Sequence, residues 1–202
     1  MDGTLVDSYP AIVPATQQAC HEYGLNFSPE YIHEAVIRTS VGAFLEEECK
    51  KYGLDSASVK TRFNQLNDSH IEAIHAIHHA EETLRLLTAS GHRCFVYTHR
   101  GASCHAILAR TNLLPYFTEV VTALDGFPRK PDPAAILYLI EKYSLLPAHC
   151  FYVGDRSLDI EAANNAGIQS ILYLDSNSPI NATGHESYVV SDLLEITTLC
   201  RS

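Results

Sequence analysis

From about residue 80 onward, short apolar runs alternate with helical patterns, and this alternation limits the possible folds more than any other feature of the sequence. The run Cys94-Phe95-Val96-Tyr97 is typical of a buried strand. Similar short runs predict strands at 119–122, 150–153, 169–174 and 188–190. Strands that alternate with helices form a parallel sheet covered on both faces. We therefore expect an α/β fold with a three-layer core around a parallel sheet.

The first third of the chain has a different pattern. Residues 9–78 show helical spacing of apolar side chains, with start signals such as Ser28-Pro29 and stop signals such as Gly24 and Gly53. The last of these helices is predicted to run from Ser58 to Ile77, and we expect no strand in this region. We therefore expect a small all-helical domain at residues 9–78, inserted into a core formed by residues 1–8 and 79–202.

Composition excludes several classes of function. The chain has 202 residues and a formal net charge of −10, which argues against a surface for nucleic acid or anionic membranes. It contains no apolar run as long as the roughly 18–20 residues of a membrane span, and no signal peptide opens it. Its six cysteines are scattered without CxxC spacing and read as reduced thiols. We expect a cytoplasmic protein, a monomer or weak homodimer.

Polar segments follow or lie near several of the predicted strands. They are residues 2–4, 98–101, 130–133 and 154–159, and ligands of open α/β sheets bind beyond the carboxyl ends of the strands. Their carboxylates suit a hard divalent cation such as Mg2+. A Thr hydroxyl, backbone N–H groups and a Lys suit a phosphate. These parts fit phosphoryl transfer better than any other class of reaction.

The same four segments carry a family resemblance. Residues 2–8, Asp-Gly-Thr-Leu-Val-Asp-Ser, resemble the first motif of the haloacid dehalogenase (HAD) superfamily in its phosphatase form, Asp-x-Asp-Gly-Thr-Leu-x-Asp-Ser. Thr98 resembles the second motif, Lys130 before Pro-Asp-Pro the third, and residues 154–159 the fourth. The helical insertion is similar to the helical C1-type cap of the phosphoglycolate phosphatase-like branch. The resemblance covers essentially the whole chain and implies a Rossmann-like, HAD-like core.

The resemblance implies roles in catalysis and in phosphate binding. Asp2 would be the general acid and base, which protonates the leaving oxygen and then activates water. Thr98 and the backbone N–H of His99 would hold the transferring phosphoryl group. Lys130 would offset the charge of the nucleophile and the phosphate. The implied substrate is a small phosphorylated metabolite, phosphoglycolate-like or a sugar phosphate.

The resemblance also implies a site for Mg2+. The backbone carbonyl of Asp2 and the carboxylate of Asp155 would bind the metal directly. Asp159 would be a second-shell or water-mediated partner of the metal. In the helical cap, Arg38, Thr39 and Ser40 are expected to select the substrate.

One part of the first motif lies outside the sequence. The nucleophile of the family is the Asp two positions before Asp2, and Met1 holds the variable position between them. The apolar strand that carries the nucleophile in this family is also absent, and its absence would leave two unpaired strand edges inside the core. We therefore expect the native chain to begin upstream of Met1. A catalytically inactive HAD-fold protein that binds a phosphometabolite or a partner is the alternative.

Other members of the superfamily are less compatible with the sequence. Dehalogenases lack an acid Asp at the position of Asp2. Sugar-phosphate phosphomutases carry a His at the position of Ile12. Two roles stay open for Arg100: its side chain contacts the substrate, or it contacts only the cap.

A histidine-rich run offers a second candidate metal site. His70, His75, His78 and His79 lie close together, and the i, i+4 spacing of His75 and His79 is compatible with zinc on a helix. No third ligand at a suitable spacing is evident. A solvated helix face is the simpler interpretation.

Overall fold

The computed structural model describes residues 1–175, 178 and 180–200 and divides the chain into two compact units. The first unit joins Met1–Val6 to Ala76–Ser202, and the second is Asp7–His75. The domain boundaries expected from the sequence lie two to three residues further along the chain, at 8/9 and 78/79. No helix within the described ranges is long and apolar enough to cross a membrane.

The second unit is built from four helices, α1 (Tyr9–Glu22), α2 (Pro29–Arg38), α3 (Val41–Tyr52) and α4 (Ser56–Ser69). Side chains just before α2 and α3 satisfy free backbone N–H groups, and for Ser28 this confirms the predicted helix start. The hydroxyl of Ser28 accepts a hydrogen bond from the N–H of Tyr31, and the hydroxyl of Ser40 accepts one from the N–H of Ala43. Ile32, Leu45 and Val59 are fully buried between the helices.

The end of this region differs from the prediction. Helix α4 ends at Ser69, and a 3-10 turn at Ile71–Ala73 and a two-residue strand, β2 (His75–Ala76), follow it. Strand β2 pairs with β1 (Val6–Asp7), so the prediction of a helix to Ile77 and of no strand was wrong. The N–H of Ile77 donates to the carbonyl of Leu5, which shows that this segment bonds across to the start of the chain rather than along a helix.

The first unit has the alternating pattern that the sequence predicts. Its strands are β3 (Cys94–Tyr97), β4 (Phe117–Val121), β5 (Phe151–Gly154), β6 (Gln169–Tyr173) and β7 (Tyr188–Val190). Its helices are α5 (Ala80–Ala89), α6 (Ser103–Arg110), α7 (Ala134–Lys142), α8 (Ser157–Asn165) and α9 (Ile196–Leu199). The predicted bounds of the strands and helices in this unit are met within one or two residues, except that a 3-10 turn at Leu193–Glu195 replaces the start of the last predicted helix. The expected α/β fold is confirmed.

The parallel strands form two separate sheets within this unit. Strand β3 pairs with β4, and β5, β6 and β7 pair in that order, all in parallel. Among the strands that the structure describes, β3 and β5 are not paired, but their side chains touch. The Tyr152 hydroxyl of β5 donates to the Tyr97 carbonyl of β3 at 3.3 Å, and the two rings lie 6.5 Å apart. Strands β3 and β5 are therefore the neighbouring members of the two sheets.

The cysteines are free thiols in both units, as their spacing predicts. Cys20, Cys49 and Cys104 are buried. Burial raises the pKa of the Cys20 thiol to about 12 and that of the Cys104 thiol to about 11. These three cysteines are therefore core residues, which a small apolar side chain suits.

Candidate active site

The polar segments of the first unit meet beyond the carboxyl ends of β3 and β5. Thr98 follows β3 and is buried, and its N–H donates to the carbonyl of Val121 at the end of β4. Its hydroxyl accepts a hydrogen bond from the N–H of Arg100 at 3.1 Å. This bond closes a tight turn and keeps the 98–101 loop against the strand end. Thr98 therefore ends the strand as the sequence predicts.

Asp155, at the end of β5, is joined to the first polar segment. The Thr4 hydroxyl donates to Asp155 Oδ1 at 2.8 Å, a bond between residues 151 positions apart in the sequence. Gly3 lies beside the same carboxylate with a φ of +74°, and a Cβ at this position would overlap Asp155 Oδ2. Only glycine meets both requirements, left-handed backbone and close approach. The structure thus brings Gly3 and Thr4 of the first polar segment against Asp155 of the fourth.

Lys130 and Asp159 form a buried ion pair. Lys130 Nζ lies 2.6 Å from Asp159 Oδ1, and each side chain is only 5% exposed. The ammonium also donates to the Tyr152 hydroxyl at 3.2 Å and lies 5.2 Å and 5.6 Å from the ring centroids of Tyr97 and Tyr152. Gly154 makes room for the pair, because a Cβ there would overlap the Asp159 side chain. Lys130 is therefore held on several sides.

Charge interactions within this cluster shift several pKa values. Burial opposes the charged form of both partners, but attraction to Asp159 outweighs it and raises the pKa of Lys130. Lys130 and then Arg156 likewise lower the pKa of Asp159 despite its burial. Asp155 behaves in the opposite way, because burial and the charge of Asp159 raise its pKa. Positive charge is thus unevenly distributed in the site: the ammonium of Lys130 is paired with Asp159, while Asp155 accepts a hydrogen bond from the neutral Thr4 hydroxyl.

This charge imbalance is the test for a metal ion. A hard divalent cation binds carboxylate and carbonyl oxygens, and it would offset the charge that raises the pKa of Asp155. The donor set therefore fits Mg2+, with Asp155 as the direct carboxylate ligand. The described part of the chain contains no group of three or more His, Cys, Asp or Glu side chains that could hold a metal by themselves. Asp159 is the partner of Lys130. The metal roles of Asp2, Asp155 and Asp159 stay predictions.

Arg100 binds Asp2. Its Nη2 and Nε donate to Asp2 Oδ1 at 2.8 Å and 3.0 Å, and Nε also lies 3.2 Å from Oδ2. The guanidinium is 6% exposed and the Asp2 side chain 28% exposed. Two donors on one carboxylate fix its orientation better than one could. Within its own unit, Arg100 therefore orients Asp2 through its guanidinium.

His99 takes a place that the sequence did not indicate. Its Nε2 accepts a hydrogen bond from the backbone N–H of Lys130 at 2.8 Å. Burial, followed by the positive charges of Lys130, Arg129 and Arg156, lowers the pKa of His99 to about 3. The imidazole is therefore neutral at any pH near neutrality. The motif resemblance assigns a role to the backbone N–H of His99 and none to its side chain.

The cap residues selected from the sequence have local partners in the helical unit. Arg38 pairs with Glu34 on an exposed helix face. The Thr39 hydroxyl donates to the Ala35 carbonyl, and Ser40 caps α3. Their role in selecting a substrate stays a prediction.

The histidine run does not lie on a helix face, so that interpretation was wrong. His75 belongs to strand β2, and His79 precedes α5 with a φ of +61°. His79 Nδ1 lies 2.8 Å from a carboxylate oxygen of Asp192, and its ring stacks on His78 with centroids 3.6 Å apart. Extended and turn conformations from residue 74 to 79 separate His75 and His79, so the i, i+4 argument for zinc does not apply.

Comparison with known proteins agrees with the motifs. Residues 1–173 match the family model described as haloacid dehalogenase-like hydrolase. The chain is 28% identical to a phosphoglycolate phosphatase of Vibrio parahaemolyticus, over 98% of this chain and 94% of that protein. It is 25% identical to a pyrophosphatase of Oceanobacillus iheyensis, over 98% of this chain and 93% of that protein.

Solved structures have the same fold. A crystal structure described as a predicted phosphoglycolate phosphatase from Haemophilus somnus superimposes with a TM-score of 0.85. It covers 98% of this chain and 94% of its own, at 23% identity. At that identity the likeness concerns the fold, and it extends across both units of the chain.

Proposed function

Because this chain belongs to the haloacid dehalogenase-like hydrolase family, as a phosphomonoester hydrolase, we propose that it is Mg2+-dependent and acts on a small phosphorylated metabolite. The names of its relatives favour a phosphoglycolate-like compound, and a sugar phosphate is the second candidate substrate. The observation that carries the proposal is the junction of the four motif segments in one unit. The Thr4–Asp155 hydrogen bond, the Lys130–Asp159 ion pair and the Arg100–Asp2 ion pair join the four segments across the sequence.

The proposed reaction passes through an aspartyl phosphate. A carboxylate oxygen of the nucleophilic Asp attacks phosphorus, the bond from phosphorus to the substrate oxygen breaks, and Asp2 gives a proton to that oxygen. Asp2 then takes a proton from water, the water oxygen attacks phosphorus, and the bond to the nucleophile breaks to release phosphate. Thr98 and the His99 N–H bind the phosphoryl oxygens, and Lys130 offsets their charge.

Two residues of this chain are proposed to hold Mg2+. They are Asp155, through its carboxylate, and Asp2, through its backbone carbonyl. When bound, the metal supplies positive charge beside the phosphoryl group. The raised pKa of Asp155 supports this assignment. Burial disfavours the charged carboxylate, and a cation bound to it would stabilise that charged form.

The nucleophile is proposed to lie directly upstream of Met1, at the end of a further strand. The pairing of the sheets supports this proposal. Strands β3 and β5 are neighbours through Tyr97 and Tyr152, yet apart from the short β1–β2 pair the described strands pair only as β3–β4 and β5–β6–β7. A strand between β3 and β5 would satisfy both inner edges and would join the two sheets into one.

The proposal is tested by comparing the 202-residue chain with a chain extended by the in-frame upstream sequence. Both are assayed for release of phosphate from p-nitrophenyl phosphate and 2-phosphoglycolate, with Mg2+ and with EDTA. We expect turnover in the extended chain, dependent on Mg2+, and little in the 202-residue chain. No turnover in either chain would contradict the proposed reaction and favour a phosphometabolite-binding protein.

Two variants of the extended chain serve as controls. Asp2→Asn keeps the shape of the side chain but removes its proton transfer, and we expect a loss of about 10²–10⁴-fold in kcat. Arg85→Met changes an exposed residue of α5 whose Nη2 lies 4.0 Å from Glu82 Oε1. This variant should leave kcat unchanged. Equal losses in both variants would contradict the role of Asp2.

The phosphomutase alternative has less support. Ile12, where the mutases carry a His, is a buried core residue of α1. We also propose a cytoplasmic location, which the free cysteines favour. A metabolite is the proposed partner rather than nucleic acid or a membrane, and the protein is proposed to be a monomer or weak homodimer.

A further inference from the structure

The end of β3 holds the loop before Lys130 at two points. The Tyr97 hydroxyl donates to the Pro128 carbonyl at 2.9 Å, and two residues later His99 Nε2 accepts the N–H of Lys130 at 2.8 Å. Side chains from one strand end thus bind the backbone of the loop on either side of Arg129. The loop position is therefore set by β3 rather than by the loop sequence alone.

Hydrogen-bond chemistry determines which form of His99 makes this contact. A backbone N–H can only donate, so Nε2 must carry a lone pair and the ring proton must be on Nδ1. The Tyr97 hydroxyl lies 3.3 Å from the same Nε2, but it has one proton and donates it to Pro128. The contact thus needs a neutral imidazole. Burial and the neighbouring charges of Lys130, Arg129 and Arg156, opposed only by Asp159, favour that neutral form.

The anchored N–H adjoins the Cα from which the Lys130 side chain extends. Lysine has a flexible four-carbon stem, so the position of its ammonium depends on the position of its Cα. In this structure the stem is buried, and the ammonium reaches Asp159 Oδ1 at 2.6 Å between two tyrosine rings. A displacement of the Lys130 backbone would move the stem away from contacts that now hold the ammonium at Asp159, Tyr97 and Tyr152.

We propose that His99 is a positioning residue for Lys130: its neutral imidazole accepts the Lys130 N–H and sets the place from which the ammonium reaches Asp159. On the proposed function, which this inference extends, the same contact places the ammonium against the transferring phosphoryl group. His99 therefore has two separate tasks. Its backbone N–H faces the phosphoryl subsite, and its side chain orients the lysine.

Two variants separate this role from simple packing. His99→Gln places a carbonyl oxygen near the position of Nε2 and keeps an acceptor. His99→Leu keeps an apolar side chain of moderate size and removes the acceptor. If His99 only fills space, the two variants behave alike. If it positions Lys130, the glutamine variant resembles the wild type and the leucine variant does not.

The first readout needs no catalytic activity and uses the 202-residue chain. Ring 15N chemical shifts of His99 report its tautomer, and hydrogen exchange of the Lys130 amide reports its hydrogen bond. We expect the Nδ1-H tautomer in the wild type, and amide exchange about tenfold faster in His99→Leu than in wild type or His99→Gln. An Nε2-H or doubly protonated ring, or Lys130 exchange unchanged by leucine, would overturn the proposal.

The second readout uses the active extended chain. We expect His99→Leu to lower kcat more than it raises KM, and His99→Gln to restore most of the loss. In a Lys130→Met background the leucine change should cost little more, because its effect passes through Lys130. Full additivity of the two losses would overturn the positioning role. Absence of turnover in every chain, with the expected tautomer and exchange, would overturn the proposed function and support the positioning of Lys130.

Discussion

Replacing Lys130 with methionine tests the central ion pair of the site. Methionine keeps a straight apolar stem and removes the ammonium, so Asp159 loses its partner while both positions stay buried. Breaking a buried pair by removing one charge costs about 3–5 kcal/mol. Arg156, which also lowers the pKa of Asp159, compensates in part. We therefore expect the free energy of unfolding to fall by about 3 kcal/mol at pH 7, the low end of that range.

The sign of the pH dependence follows from the pKa of Asp159. In the wild type Lys130 holds this pKa below its usual value, so the pair stabilises the fold above that value and loses its effect as pH falls through the lowered pKa. Without Lys130, burial raises the pKa of Asp159, and protonation removes the unpaired charge. The difference between Lys130→Met and wild type should thus shrink as pH falls from 7 to 4.

Urea unfolding followed by tyrosine fluorescence and circular dichroism measures these differences, since the chain has 11 Tyr and no Trp. The double variant Lys130→Met/Asp159→Asn carries no charge at either position and should be more stable than Lys130→Met alone by at least about 1 kcal/mol. Arg85→Met removes one side of an exposed pair, and its effect should stay within about 0.5 kcal/mol. A cost below about 1 kcal/mol for Lys130→Met at pH 7, or a difference that grows on acidification, would refute the reasoning.

Three further predictions concern neighbouring positions. His99 has a pKa of about 3 in the fold and about 6.5 when unfolded, so wild type should lose about 2 kcal/mol more stability than His99→Gln between pH 8 and pH 5, in urea titrations at each pH. Thr4→Val removes the donor to Asp155 and should cost about 1–3 kcal/mol in the same assay, whereas Thr4→Ser should cost less. Gly154→Ala forces a Cβ into Asp159 and should lower stability by about 1–3 kcal/mol or more; an unchanged melting temperature would contradict the geometry.

The sequence predicts most helices and strands of this fold because their signals are local. Ser28 before Pro29 and Gly53 after α3 mark helix ends by hydrogen bonding and backbone conformation that involve only near neighbours. The prediction failed after Ser69, where Ile71, Ile74 and Ile77 have helical spacing. Ile74 is fully buried in extended conformation, and its neighbours bond to the start of the chain. Spacing cannot reveal a partner segment that lies 70 residues away.

The candidate site shows the same division between what is local and what is not. Residues 98–101 and 154–159 could be placed in the site from the sequence, because they follow strands β3 and β5 and parallel strand ends meet at one edge. The pairing inside the site could not be predicted. Asp159 binds Lys130, a contact that the motifs do not specify, and Arg100, whose role was left open, binds Asp2. Such choices depend on distances of an ångström and on burial, which motif spacing does not contain.

Tyr97 and Tyr152 help Lys130 to remain charged although its side chain is buried. Tyr97 ends β3, Tyr152 lies within β5, and both rings face the ammonium, which also donates a hydrogen bond to the Tyr152 hydroxyl. A ring face attracts a cation most strongly where water is excluded, by about 2 kcal/mol. The rings thus offset part of the burial cost that Asp159 alone would have to offset. The same two tyrosines also contact each other between β3 and β5, so the lysine lies against a contact between the two sheets.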